Sequence, residues 1–101
     1  MNETPLEIEV VTDGSVARVA VRGDLTASRA GELEDRALPL LDGPVTRLEL
    51  DLAKMPFLSS TGVAVLVRLS RRARQGQRQF MMLNASPHIE RMLRIAGLPV
   101  T

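Results

Sequence analysis

Three hydroxyl side chains stand in a row at Ser59, Ser60 and Thr61, and Gly62 follows at once. The chemistry open to a serine or threonine at the start of a helix is to accept a backbone N–H that has no partner inside the helix. One hydroxyl does this, so a row of three raises the question of what the others are for. The segment leading in, Met55-Pro56-Phe57-Leu58, is too apolar for an ordinary surface turn. Its side chains either tuck against a core or present an apolar patch to a partner. Pro56 stiffens the approach, and Gly62 allows something to come close to the backbone. On pattern alone the row is also consistent with a redundant cap, with Ser59 capping while Ser60 and Thr61 fill the first turn.

Elsewhere the ingredients of catalysis are sparse. A reaction centre needs a base, a metal or a nucleophile with a partner. The single histidine, His88, sits where a last helix begins, as a surface residue or a pH-sensitive group. The glycines at 14, 23, 31, 43, 62, 76 and 97 are scattered, so no phosphate loop forms. The acidic pairs Glu7/Glu9 and Glu32/Glu34 fall on exposed faces. There is no cysteine, which removes disulfides and thiolate metal sites. No catalytic residue, cofactor or metal is expected. A denser feature is the basic group Arg68, Arg71, Arg72, Arg74 and Arg78. It reads as solvated charge that complements a helix C-terminus, or as a surface for an acidic partner.

Composition narrows the class further. Thirteen Lys and Arg balance twelve Asp and Glu over 101 residues, leaving no global field for a nucleic-acid backbone. Two phenylalanines are the only aromatics, too few for base stacking. Met1-Asn2-Glu3-Thr4 has neither a basic start nor an apolar run, so no signal peptide is expected. No apolar run is long enough to insert in a membrane. These features are compatible with a cytoplasmic protein.

The elements that would position the hydroxyl row follow from periodicity. Leu6, Ile8 and Val10 alternate with Glu7 and Glu9, and Ala17, Val19 and Val21 alternate with Arg18 and Arg22; the turn Thr12-Asp13-Gly14-Ser15 between them makes a hairpin. Thr26 is the expected cap of a first helix with Ala30, Leu33, Ala37, Leu40 and Leu41 inward, ending at Asp42-Gly43-Pro44. Leu48, Leu50 and Leu52 mark a third strand. A second helix starting at Ser59 or Ser60 is expected to bury Val63, Leu66, Val67, Ser70 and Ala73 and to stop at Gln75-Gly76-Gln77. Gln79 to Leu83 is a fourth strand. Ser86-Pro87 opens a third helix with Ile89, Met92, Leu93 and Ala96 inward, closed by Gly97. The order β-β-α-β-α-β-α predicts a single α/β domain over residues 1–101, with a mostly parallel sheet, an N-terminal hairpin and helices largely on one face. The loop before the second helix then lies at the carboxyl end of a strand, where such folds place functional sites.

Three segments in this order resemble the STAS family, the sulfate-transporter and anti-sigma-factor-antagonist domain. "VRGDLTASRAGEL" resembles the family's lead-in to its first helix. "LELDLAKMPFLSSTGVAVLVRLSRRAR" resembles its strand, hydrophobic loop and Asp-Ser-Ser/Thr-Gly turn, and "MMLNASPHIERMLRIAGL" resembles its last strand and helix. In the antagonist branch, the serine after the Asp is phosphorylated by a partner that is both anti-sigma factor and serine kinase. The unphosphorylated form binds that kinase and releases the sigma factor. The resemblance thus implies Ser60 as phosphoacceptor, with Ser59 as second choice. It implies partner contacts from Asp24, Thr26, Met55, Phe57, Leu58, Ser59, Ser60, Thr61 and Gly62, with an anti-sigma factor kinase and a phosphatase as partners. Ser59 stands at the family's Asp position and brings no charge beside the acceptor. The resemblance carries an alternative, the standalone STAS subunit that binds the ATPase of a lipid-transport ABC complex, and it leaves the oligomeric state open.

Overall fold

The computed structural model describes residues 4–101; Met1, Asn2 and Glu3, on which the leader expectation largely rests, lie outside it. Seven elements follow in order: β1 (Glu7–Asp13), β2 (Val16–Arg22), α1 (Ala30–Leu41), β3 (Arg47–Asp51), α2 (Ser60–Gln75), β4 (Gln79–Leu83) and α3 (Pro87–Ile95). The two-residue turn Gly14-Ser15 sets β1 antiparallel to β2, so that Asp13 faces Val16 and Ile8 faces Val21. β2, β3 and β4 are parallel neighbours, giving the sheet order β1-β2-β3-β4. Beyond β4, Val100 bridges Met82 and covers part of that edge.

Register explains which face is dry. Ala17, Leu48 and Phe80 line up across the strands, as do Val19, Leu50 and Met82, and all six are buried. They form one cluster with Leu33 and Leu41 of α1, Leu66 and Leu69 of α2, and Ile89 and Leu93 of α3. Burying each such leucine or isoleucine contributes about 1.5–3 kcal/mol before ordering entropy is subtracted. The opposite face carries the alternate residues as a charge ladder. Arg18 and Arg47 both donate to Glu49, at 2.8 and 2.6 Å, and Arg47 also reaches Gln79. The mostly parallel sheet with its N-terminal hairpin, and a dry face opposite a polar one, are as the alternation predicts.

Three helix details differ from expectation. α1 does not start at Thr26. The Thr26 carbonyl accepts the N–H groups of Arg29 and Ala30, closing a turn over 27–29, and the helix runs from Ala30. α2 buries Gly62, Val65, Leu66, Leu69 and Ala73, whereas Val63, Val67 and Ser70 are only half-buried. Valine, alanine and leucine fill every position from 63 to 67, so the apolar pattern does not fix the phase of the helix. In α3, Ile89 and Leu93 are buried, but Met92 is half-buried and Ala96 exposed, since the helix is short and its last turn lies beyond the core.

Candidate functional site

The parallel strands β2, β3 and β4 all deliver their C-terminal ends to one edge of the domain, and the loops leaving β2 and β3 are knitted together there. Gly23 N–H donates to Lys54 O at 2.8 Å, Leu25 N–H to Phe57 O at 3.0 Å, and Ser59 N–H to Leu25 O at 3.0 Å. Leu25 and Leu58 thereby form a short parallel bridge outside the sheet proper. Gly23 makes this possible: its φ is +88°, and a Cβ there would stand 2.0 Å from the Pro5 carbonyl oxygen. Asp51, at the end of β3, fixes the start of the second loop by accepting the Ala53 N–H at 3.0 Å and the Asn84 amide at 3.2 Å.

The hydroxyl row divides its labour. Ser59 is the N-cap of α2, in extended conformation, and its Oγ accepts the Gly62 N–H at 2.9 Å. Ser60 is the first helical residue; it is exposed, and its hydroxyl makes no hydrogen bond among the described residues. Thr61 is exposed beside it. The N-terminal end of α2 carries no acidic residue in its first turn, so no carboxylate of that turn offsets the helix dipole there.

The apolar approach splits between the two readings left open above. Met55 and Leu58 are buried, at 2% and 3% exposure, and Gly62 is enclosed by Leu58 and Leu25. These three hold the loop to the core and offer no surface, so what comes close to the Gly62 backbone is the chain itself. Phe57, by contrast, is 49% exposed. Asp24 is half-buried, and its carboxylate accepts the Thr4 N–H at 2.9 Å while its own N–H donates to Thr4 O, which makes it the clasp of the N-terminal segment. Thr26 Oγ1 lies 3.2 Å from Ser28 Oγ. The exposed part of the site is therefore Phe57, Ser60 and Thr61, while Thr26 is half-buried.

Sequence reasoning missed what lies next to Ser60. Val63 of α2 and Met92, Ile95 and Ala96 at the end of α3 line a shallow groove of about 340 Å³ that reaches Ser60. Ile95 is 82% exposed. The signal was present in the second apolar stripe of α2, which the periodicity assigned to the core.

The basic group is mostly accounted for. Arg68 binds Glu34 of α1 at 2.7 Å, and Arg72 pairs with Asp42. Arg78 donates to the carbonyls of Val45 and Gly43. The hydrogen bonds from Arg68 hold the Glu34 carboxyl below its ordinary range, and those from Arg47 and then Arg18 do the same for Glu49. Arg71 and Arg74 keep no such partner among the described residues. No helix among the described residues is long and apolar enough to cross a membrane.

The family model described as Mlab, STAS domain matches residues 8–99. The chain belongs to the STAS-domain family. Among its relatives, the anti-sigma-B factor antagonist of Staphylococcus epidermidis is 28% identical over 93 residues, covering 92% of this chain and 86% of that protein. An anti-sigma factor antagonist from Mycobacterium paratuberculosis shares the fold at TM-score 0.84 and 21% identity, over 95% of this chain and 85% of that one. The unphosphorylated anti-sigma factor antagonist SpoIIAA does so at TM-score 0.80 and 19% identity, over 96% and 86%. The STAS fold thus accounts for the whole arrangement of elements.

Proposed function

We propose that this STAS domain is an anti-sigma factor antagonist that works by partner switching, with Ser60 as the residue that is phosphorylated. The observation that carries the reading is the division of labour in the hydroxyl row. Ser59 caps the helix, so the exposed Ser60 hydroxyl can be modified without cost to the cap. Its relatives' names support the reading, as does the existence of SpoIIAA in both unphosphorylated and phosphorylated forms. In this reading the unphosphorylated chain binds an anti-sigma factor that is also a serine kinase, a phosphatase resets it, and the chain itself is a binding protein, not an enzyme.

The physics of the switch lies at the interface. A phosphoryl group brings nearly two negative charges to a helix N-terminus, where N–H groups and dipole favour an anion, so the fold is retained. The charge instead meets the partner surface, where its desolvation opposes binding by several kcal/mol, on the order seen for unpaired interface charges. Ser60→Asp is expected to abolish binding to the anti-sigma factor while keeping a cooperative thermal transition. Retained binding, or loss of that transition, would count against the proposal.

A second reading is favoured by one observation: Ser59 stands where an acidic residue is expected beside the acceptor. It makes the chain the standalone STAS subunit of a lipid-transport ABC complex, bound to its ATPase without a phosphorylation cycle. Phosphosite mapping of the protein from its own cells, in growth and under stress, separates the two. A phosphate on Ser60 that changes with condition supports the first reading, and an unmodified protein in every condition supports the second.

A further inference from the structure

Along α2, Ser60, Val63, Val67, Ser70, Arg71 and Arg74 recur at spacings of three and four and so share one face. None of them is fully buried, because the core takes the adjacent stripe from Gly62 to Ala73. The end of α3 walls this face on one side. Met92, Ile95 and Ala96 stand opposite Ser60 and Val63, and the residues from Ala96 to Leu98 stand opposite Val67, Arg71 and Arg74. The two depressions, of about 340 and 180 Å³, share Ala96 and so form one strip. Fourteen residues of α2 separate its ends, about 21 Å at the helical rise.

We propose that this strip is the seat of an amphipathic helix of the partner protein, with acidic residues at one end. The inference rests on the partner-switching reading for the protein that supplies the helix and adds where and how it binds. The Ser60 end of the strip is lined by Val63, Met92 and the highly exposed Ile95 and is mostly apolar. Its length suits a helix of about four turns. Charge selects the occupant. Of the residues that line the strip, Arg71 and Arg74 are charged and none is acidic. At the far end of the strip Arg71 and Arg74 are left without a partner among the described residues. A second copy docked through this same face adds the same cations to the contact and no acidic residue to meet them, while an acidic helix end meets complementary charge. The geometry also sets the polarity of the complex: acidic end at Arg71 and Arg74, apolar end over Ser60. A phosphoryl group on Ser60 then meets the apolar end, where no cation is available to receive it.

The test uses the full chain in its own cells, with a photoreactive benzoylphenylalanine at position 95 in one strain and at position 57 in another. Both native residues are exposed, so the fold tolerates the exchange. The captured peptides are sequenced. Position 95 is expected to capture an acidic, helix-patterned segment of the anti-sigma factor. Adding Arg71→Glu with Arg74→Glu should lower that yield about tenfold, the scale of losing complementary charge at an interface. Capture at 57 without capture at 95 overturns the groove and leaves the switch reading standing. Capture at 95 of lipid, of another copy, or of a segment without acidic residues also overturns it. An acidic helix from a protein that is not an anti-sigma factor upholds the groove and overturns the switch reading. Absence of protein at both positions overturns both.

Discussion

Leu58 lies so close to Gly62 that a Cβ on the glycine would stand 2.8 Å from Leu58 Cδ1, with Leu25 Cδ2 next at 3.1 Å. Both leucines are themselves buried, so neither can swing away into solvent. The glycine of the turn is thus a packing requirement between the two loops, set by the chain's own side chains.

Gly62→Ala separates two opposed effects. Helix propensity favours alanine by about 1 kcal/mol, while overpacking a filled core costs about 1–3 kcal/mol. Two leucines from different segments must shift together, so overpacking should prevail, with a net loss of up to about 2 kcal/mol. A urea midpoint at or above that of the parent chain would show that the leucines relax without cost.

Neighbouring serines should respond differently. Ser59→Ala removes the acceptor of the Gly62 N–H and should cost about 1 kcal/mol. Ser60→Ala removes a hydroxyl that holds nothing and should change stability by less than about 0.5 kcal/mol; on the proposed function it should also abolish phosphate incorporation. Equal destabilisation by both variants would contradict the division of labour between them.

Arg78 belongs to the basic group in sequence and to the loop after α1 in space. Its guanidinium satisfies the Val45 and Gly43 carbonyls at 2.9 and 2.7 Å. Arg78→Ala should cost about 1–3 kcal/mol, since it strips two acceptors of their donor. Arg78→Lys should recover only part of this, because an ammonium lacks the planar fork. Chemical denaturation of the three proteins decides it; full recovery by lysine would show that charge alone matters.

Acid should weaken the fold through Glu34 and Glu49. Both have folded values below the ordinary 4.5, so below that pH the unfolded chain binds more protons than the folded one. Their contribution is complete above the unfolded value and is lost as pH falls through the folded one. Urea midpoints should be level above about pH 5 and fall on the acid side. Glu34→Gln and Glu49→Gln should each make that fall shallower; an unchanged acid limb in both would remove these carboxylates from the account.

Much of the fold was legible because its strands alternate cleanly: Leu48, Leu50 and Leu52 against Arg47, Glu49 and Asp51 leave one choice of face. The caps Ser59 and Ser86 were legible because capping is local. Thr26 has the same chemistry, but its carbonyl closes a turn over 27–29, and no local rule distinguishes that turn from a cap. The phase of α2 was hidden because its first turns are apolar on two sides, one for Leu66 and one for the strip at Val63. The contacts of Asp24 and Arg78 were beyond sequence reading, since their partners, Thr4 and the carbonyls of Gly43 and Val45, are set by the assembled fold.

The bridge between Leu25 and Leu58 has a consequence for whatever reads the turn. Neither loop can hold its shape alone, because each supplies backbone partners that the other lacks. The serine turn therefore takes its shape only when segments distant in sequence have met. A fragment covering only residues 54–76 should carry the same letters without the same presentation. A partner that reads this turn is, in effect, reading whether the domain has finished folding.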